Sequence, residues 1–230
     1  MHTKNEFDQP VGREIHNWET RQYPAKMDIQ GKYCVLSPID IKKHAKPLFQ
    51  VLHDNPGDSW TYLPYGPFES IIHFKSWLKS TISEHDTVLY AILDVKTKSP
   101  IGICSYLRIN PEHGVIEVGH LHYSQSLKRT PAATEAMYLM MCHAFDDMGY
   151  RRYEWKCNSC NAPSRRAAER LGFTFEGIFR QHYVLKNRNR DTAWFSILDS
   201  EWPAVKEKFI KWLSPSNFDH NGCQLSKLGE

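Results

Sequence analysis

The sequence predicts an α/β fold in which a mixed, mostly antiparallel central sheet of about seven strands carries helices on both faces. Its predicted elements run in the order strand, helices, three-stranded meander, then helix, strand, helix and two strands. The strand–helix–strand step in the middle implies one parallel pair with antiparallel strands on either side. The chain has 230 residues, of which 41% are hydrophobic, so it can bury a substantial core within one domain.

The first half of the chain begins with a polar arm over residues 1–30, and one domain is predicted over 31–213. Periodicity then indicates, in order, a strand over 32–38, a helix over 39–54 that Pro47 interrupts, a helix over 69–83, and strands over 87–94, 100–109 and 114–123. Only short polar turns separate the last three strands, so they are expected to form a meander.

The second half contains the parallel step and ends in a polar tail over 214–230. Its predicted elements are a helix that ends at Gly149, a strand over 152–157, a helix from Asn161 to Leu171, two strands joined by a basic turn over 186–190, and a helix over 201–213. Met137, Met140 and Met141 recur at helical spacing, and we interpret them as core residues and not as a soft-metal site.

Charge and composition exclude several classes of partner. The net charge is only +3 and the cations are dispersed, apart from 151–156 and 186–190, so no nucleic-acid partner is expected. No signal-peptide pattern and no apolar run of membrane-spanning length is apparent, so no membrane association is predicted. Six scattered cysteines suit reduced thiols, and the expected location is the cytoplasm.

The stretch 127–136, "LKRTPAATEA", places two cations at a predicted helix start. A helix start presents unpaired N–H groups and the positive end of the helix dipole, and Lys128 and Arg129 add charge. It follows the strand 114–123, where ligands bind in such sheets, so we predict a phosphate or pyrophosphate site. The alternative is an ordinary capped helix with solvated cations. No P-loop and no G-x-G-x-x-G motif occurs in the sequence.

Four motifs carry a family resemblance: "IEVGH" (116–120), "AATEA" (132–136), "GYRRYEWKCNSCNAPSRRAAERLGF" (149–173) and "EGIFR" (176–180). In this order and spacing, over roughly residues 30–200, the chain resembles the GCN5-related N-acetyltransferases, and within them the branch of ribosomal-protein N-terminal acetyltransferases. The resemblance implies acetyl-CoA as cofactor and co-substrate, a splayed central strand pair, and a pyrophosphate loop at 127–134.

The resemblance also implies where acetyl-CoA would bind. The N–H groups around Leu121 and Tyr123 would hold the pantetheine arm and the thioester oxygen. The residues that would contact the cofactor are Leu121, His122, Tyr123, Lys128, Arg129, Thr130, Ala132, Ala133, Thr134, Asn158 and Asn161. Pro131 departs from the family's loop pattern because it has no N–H, so one phosphate contact is lost or comes from elsewhere, with Arg129 and the Thr130 hydroxyl as candidates.

Acetyl transfer to an amine needs a base, a donor for the carbonyl oxygen and an acid for the leaving thiolate. Glu117 is the predicted base because it is a carboxylate within a core strand; the alternative is a salt bridge or an outward side chain. His120 is the second candidate through a near-neutral pKa, and strand alternation places it with His122 on the face opposite to Glu117. The resemblance makes Ser164 the general acid, and Tyr183 is a weaker candidate. Helix capping is the alternative role for Ser164 and for Asn161, and it is compatible with ligand binding.

The predicted function is acetyl-CoA-dependent transfer of an acetyl group to a primary amine, by direct attack in a ternary complex. No suitably placed cysteine suggests an acyl-enzyme, and the lone C-x-x-C of Cys157 and Cys160 lacks a second half-site, so no metal is predicted. The alternative is a non-catalytic acyl-CoA-binding or regulatory module, which Pro131 keeps open.

The acceptor is left open between a protein N-terminus and a small-molecule amine. The aromatic loop over 60–68 and the turn over 186–190 are expected to shape its side of the site. The cations of this turn would suit an acidic acceptor or simply be solvated. The chain is expected to be a monomer or a homodimer.

Overall fold

The central feature of the computed structural model, which describes residues 3–220 and 222–229, is an eight-stranded sheet. The strands of the chain are β1 (Thr3–Lys4), β2 (Pro10–Val11), β3 (Ile29–Gln30), β4 (Cys34–Pro38), β5 (Val88–Asp94), β6 (Pro100–Asn110), β7 (Val115–Tyr123), β8 (Arg152–Asn158), β9 (Thr174–Leu185) and β10 (Arg188–Leu198). The first two form a separate hairpin, and the others lie in the order β3-β4-β5-β6-β7-β8-β10-β9.

Five α-helices cover the two faces of the sheet, as predicted. They are α1 (Ile41–His53), α2 (Ile71–Ile82), α3 (Pro131–Cys142), α4 (Ala162–Arg170) and α5 (Trp202–Trp212). Strand β5 shows how the faces separate: Leu89 and Ala91 pack with α1 and α2, whereas Tyr90 and Ile92 belong to the core beneath α3 and α5. This alternation has the period of two that a strand buried on both faces requires. The predicted fold class is therefore confirmed.

Strands β7 and β8 form the parallel pair and then separate. Their pairing runs from Val115 opposite Arg152 to Val118 opposite Trp155 and stops there. Beyond this point β8 continues to pair with β10, while β7 bends through a bulge at which two of its residues, His120 and Leu121, oppose one of β6, Cys104. His120 lies in that bulge with a φ of +49°. The predicted splayed central pair is therefore present.

Two details differ from the sequence prediction. Helix α1 continues through Pro47, because buried residues on both sides of the proline, including Ala45 and Leu48, pack on the same core. The basic turn is shorter than 186–190, since β10 already begins at Arg188. Lys186 and Asn187 alone form the turn, and both have positive φ, which suits a two-residue hairpin turn.

The segment after α5 packs against the domain. The ring of Phe218 lies 5.1 Å from that of Trp212 and 6.2 Å from that of Tyr33. Asn217 is buried, and its side-chain amide donates to the carbonyl oxygen of Trp212. Among the described residues, no helix combines the length and the apolar character that crossing a bilayer would need.

Candidate active site

The gap between β7 and β8 opens into a cleft of about 750 Å³. The loop after α1, strands β6, β7, β8 and β10, and the first turn of α4 all contribute to its walls. Residues of the predicted site that line it are Glu117, Leu121, Lys128, Asn158, Asn161 and Ser164, together with the second base candidate His120. Residues far apart in the sequence thus meet where the two strands diverge.

Glu117 lies on β7 with its carboxylate held between two cations. Arg108 donates to Oε1 at 2.7 Å, and Lys156 Nζ lies 2.9 Å from Oε2. Lys156 also pairs with Glu154 at 2.7 Å. The Glu117 side chain is 4% exposed, and this burial raises the pKa of its carboxyl group while the two cations oppose the rise. The sequence left open whether Glu117 forms a salt bridge or serves as a base. The carboxylate is ion-paired, and Glu117 also lines the cleft.

His120 lies in the same cleft as Glu117, so the prediction that strand alternation separates them is wrong. The bulge in β7 interrupts the alternation, and the left-handed backbone at His120 turns its ring toward the cleft. His120 Nδ1 lies 3.2 Å from the hydroxyl oxygen of Tyr65. Burial, and then the charge of Arg108, lower the pKa of His120 to about 4, so its expected near-neutral pKa is also wrong.

The His122 and Tyr123 side chains lie behind the cleft and do not line it. His122 Nε2 is 3.1 Å from Asn55 Nδ2 and 3.3 Å from Ser59 Oγ, and its ring centroid is 4.1 Å from that of Trp60. Asn55 Nδ2 also donates to the carbonyl oxygen of Tyr123. The side chain of His122 therefore ties the loop after α1 to β7, which leaves only its backbone available for a cofactor.

Ser164 lies on the opposite wall, in the first turn of α4. Its hydroxyl oxygen accepts a hydrogen bond from Trp155 Nε1 at 3.0 Å, and its backbone N–H donates to Asn161 Oδ1 at 3.2 Å. Asn161 is the N-cap residue of the helix, as the sequence predicts. Because the indole is the donor in this contact, the Ser164 hydroxyl proton points elsewhere, and the Cys157 thiol is close enough to receive it.

Cys157 also lines the cleft, contrary to the expectation that no cysteine is suitably placed. Burial raises the pKa of its thiol, partly opposed by a hydrogen bond with Ser164, so the neutral thiol is favoured. Its partner in the C-x-x-C motif, Cys160, is exposed. Over residues 3–220 and 222–229, no group of three or more His, Cys, Asp and Glu side chains is arranged to hold a metal.

At the start of α3, only Lys128 of the predicted phosphate loop reaches the cleft lining. Thr130 caps the helix, and its hydroxyl accepts from the Ala133 N–H at 3.3 Å and donates to the Leu127 carbonyl at 2.7 Å. The proton of this hydroxyl is directed to the Leu127 carbonyl, which disfavours the suggestion that it replaces the missing N–H of Pro131, and that suggestion stays a prediction. The Thr134 hydroxyl is buried and accepts from Arg170.

The loop after α1 crosses the cleft and is held at two points that the sequence did not indicate. The Tyr62 hydroxyl donates to the carbonyl oxygen of Cys160 at 3.1 Å, and Lys186 Nζ donates to that of Trp60 at 2.8 Å. The aromatic residues of this loop indicated that it lies near the site. The groups that hold it, Cys160 and Lys186, lie in turns far away in the sequence. Tyr183, the weaker acid candidate, lines a smaller adjoining cavity and not the cleft itself.

Comparisons with known proteins agree with this architecture. Residues 34–174 match the family described as the acetyltransferase (GNAT) domain. A GCN5-related N-acetyltransferase from Brucella melitensis is 45% identical, with a TM-score of 0.91 over 93% of this chain and 97% of that one. A probable acetyltransferase of the GNAT family from Chromobacterium violaceum ATCC 12472 is 40% identical, with a TM-score of 0.81 over 85% of this chain and 98% of that one.

More distant relatives share less. An uncharacterized N-acetyltransferase, p20, from Bacillus licheniformis is 28% identical over 49% of this chain, and the match spans 63% of that protein's length. At 16% and 18% identity, a Vibrio cholerae protein described as a ribosomal-protein-serine acetyltransferase and the microcin C7 self-immunity acetyltransferase MccE, solved with acetyl-CoA and AMP, share the fold. With its splayed strand pair and its match over more than half its length, the chain belongs to the GCN5-related N-acetyltransferase family.

Proposed function

We propose that the protein transfers the acetyl group of acetyl-CoA to a primary amine, either a protein N-terminus or a small molecule, by direct attack in a ternary complex. The observation that carries this proposal is the cleft at the strand splay. A buried carboxylate lies on its β7 wall and a serine hydroxyl on its α4 wall, and Lys128 lies at the end where α3 begins.

Acetyl-CoA fits the residues present. Pairing between β7 and β8 ends at Val118, so the next backbone groups of β7 have no partner strand on that side and can bond to a pantetheine arm. Lys128 and the start of α3 offer positive charge for a pyrophosphate. MccE, which has the same fold, was solved with acetyl-CoA. When bound, the cofactor supplies the thioester that the amine attacks.

The residues of the chain then serve the proton transfers. Glu117, directly or through one water, accepts the proton that the ammonium group of the acceptor must lose. Burial raises the pKa of its carboxyl group, which makes it a stronger base than an exposed glutamate. Ser164, whose oxygen accepts from Trp155, donates its hydroxyl proton to the sulfur that leaves, in exchange for its hydrogen bond with Cys157.

Direct attack is favoured over an acyl-enzyme by the state of Cys157. It is the cysteine in the cleft lining, and burial keeps its thiol protonated. A neutral thiol is a weak nucleophile compared with a thiolate. We therefore assign no covalent intermediate to it.

A non-catalytic acyl-CoA-binding module is the second candidate, favoured by one observation. Pro131 lacks an N–H and the Ala133 N–H is capped by Thr130, so the start of α3 offers fewer donors to a phosphate than an open helix start would. The attraction between Lys128 and the pyrophosphate must then supply a larger share of the affinity for acetyl-CoA.

Acetyl transfer is tested by incubating the protein with acetyl-CoA and a panel of small amines and peptides with free or blocked N-termini. We expect thiol release only when a free amine is present, and an acetylated acceptor by mass spectrometry. Acetyl-CoA binding without transfer to any amine would favour the non-catalytic module. Thiol release without acceptor, with acetyl on Cys157, would contradict direct attack.

A further inference from the structure

The charges around Glu117 do not balance. Two carboxylates, those of Glu117 and Glu154, lie among three cations, Arg108, Lys156 and Arg190, which line both the cleft and an adjoining cavity of about 80 Å³. Lys156 spans both carboxylates, and Arg108 pairs with Glu117. Arg152 pairs with the other oxygen of Glu154 and with Glu176. Because the charges of Arg152 and Glu176 cancel, these two residues leave the balance unchanged.

Arg190 is the cation left over. It forms no ion pair with any described residue, and its Nε is buried without a hydrogen-bond partner within the part of the chain that the structure describes. Strand β10 has a register irregularity immediately after Arg190, and its guanidinium carbon lies 5.5 Å from the centre of the Tyr183 ring. The guanidinium thus lies at the wall of the cleft without an ion-pair partner among the described residues, although Glu117 is near enough to attract its charge.

Such an arrangement is unfavourable unless a ligand completes it. A partly buried cation without an ion-pair partner loses hydration, and the more distant attraction of Glu117 replaces that hydration only in part. A guanidinium is planar and offers parallel N–H donors, which match the two oxygens of a carboxylate. Arg108, whose side chain is 46% exposed, spends Nη1 on Glu117 and lies in the same wall.

We propose that the amine acceptor carries a carboxylate and that Arg190, assisted by Arg108, binds it while the amine faces Glu117. This inference rests on the proposed acetyl transfer and narrows its acceptor class. The carboxylate takes no part in the chemistry: the C–N bond forms, the C–S bond breaks, Glu117 takes the amine proton, and the thiolate of CoA is protonated. The carboxylate fixes the amine in place.

The position of the other cations of the basic stretch supports this choice. Lys186 bonds to the backbone of the loop after α1, and Arg188 is exposed at the hairpin end, whereas Arg190 alone of the three lines the cleft. The sequence left open whether the cations of 186–190 suit an acidic acceptor or are solvated. The exposed Arg188 fits the second alternative, whereas Arg190 in the cleft lining fits the first.

The test compares kcat/KM for matched acceptor pairs. β-Alanine is compared with β-alanine amide as a small molecule, and alanylglutamate amide with alanylglutamine amide as a peptide N-terminus; O-phosphoethanolamine tests phosphate. We expect the acid of at least one pair to be preferred by about 10- to 100-fold, the range of a charge-assisted hydrogen bond. In Arg190→Gln this ratio should fall to about one, whereas in Arg188→Gln, on the same strand, it should stay as in the wild type.

Equal rates for acid and amide in the wild type, a preference that survives Arg190→Gln, or a preference for the phosphate over both acids would overturn the carboxylate assignment while acetyl transfer stands. Absence of transfer to every compound would instead remove the proposed function. In that case calorimetric binding of the same acids and amides decides: tighter binding of an acid, lost in Arg190→Gln, supports the carboxylate site, and equal binding refutes it.

Discussion

Glu117 combines two ion pairs with the burial that its proposed role as base requires. Its two oxygens contact Arg108 and Lys156, which stabilise the carboxylate, while burial on β7 destabilises it. The net effect is a pKa above that of an exposed glutamate. The carboxylate is thus charged enough to pair and basic enough to accept a proton.

Glu154 provides a matched control for this role. It is also buried and pairs with Lys156, but it does not line the cleft. We expect Glu117→Gln to lower kcat by about 100-fold or more, the usual contribution of a general base. Glu154→Gln should lose comparable stability and keep most of kcat.

Initial rates with acetyl-CoA and an accepted amine, together with unfolding curves of both variants, check this expectation. A Glu117→Gln enzyme with wild-type kcat would remove Glu117 as the base. Equal loss of kcat in both variants would show that the ion pairs, and not the base, limit the rate.

The buried His122 and the half-buried His120 make stability depend on pH. Burial lowers the pKa values of His120 and His122 to about 4, from 6.5 in an exposed histidine. Between these values the unfolded chain binds more protons than the native protein, so stability is complete above about pH 6.5 and is lost as the pH falls toward 4. Each histidine contributes a slope approaching about 1.4 kcal/mol per pH unit in this window.

Denaturant unfolding at several pH values tests this. His122→Gln should reduce the slope of unfolding free energy against pH by one proton, whereas the same change at His85, which is exposed, should leave the slope unaltered. A slope that is the same in wild type and His122→Gln would show that His122 is not buried in its neutral form.

At the scale of elements, α3 is anchored to the start of β4 by one carboxylate. Glu135 is buried and accepts hydrogen bonds from the backbone N–H groups of Lys32, Tyr33 and Cys34, at 2.6 to 2.8 Å. The helix that begins at the predicted pyrophosphate loop is therefore fixed to the start of β4, three strands away from β7 in the sheet. This role could not be predicted from the sequence, because a glutamate in a helix is ordinarily solvated.

Glu135→Ala leaves these N–H groups without a partner and should lower the free energy of unfolding by about 3 kcal/mol or more, since each buried unsatisfied donor costs about 1–3 kcal/mol. Glu169→Ala, at an exposed position of α4, should change it by no more than about 0.5 kcal/mol. Urea unfolding measures both. A small effect of Glu135→Ala would mean that the segment 31–34 relaxes to bind water.

For the whole molecule, local patterns were enough to predict the order of the elements and the sheet. The apolar runs of 87–94 and 100–109 and the helix start at Asn161 are local signals, and the structure has each of them in place. Pro47 was misread because packing on both sides of it outweighs the lost hydrogen bond.

The site was predicted less completely, for a physical reason. Its partners come from different strands, so the pairing of Glu117 with Arg108 and Lys156 has no signature in any short stretch. The bulge at His120 reverses the side-chain alternation on which the face assignments rested, and a non-glycine residue with positive φ cannot be read from its neighbours.

Calorimetric titration with acetyl-CoA tests the central claim, that the splay between β7 and β8 with the start of α3 is an acetyl-CoA site. We expect micromolar binding that weakens about 10-fold in Lys128→Ala, which removes one charge-assisted contact, and that is unchanged in Lys79→Ala, an exposed position on α2. No binding at near-millimolar acetyl-CoA, or binding equally tight in Lys128→Ala, would contradict the site described here.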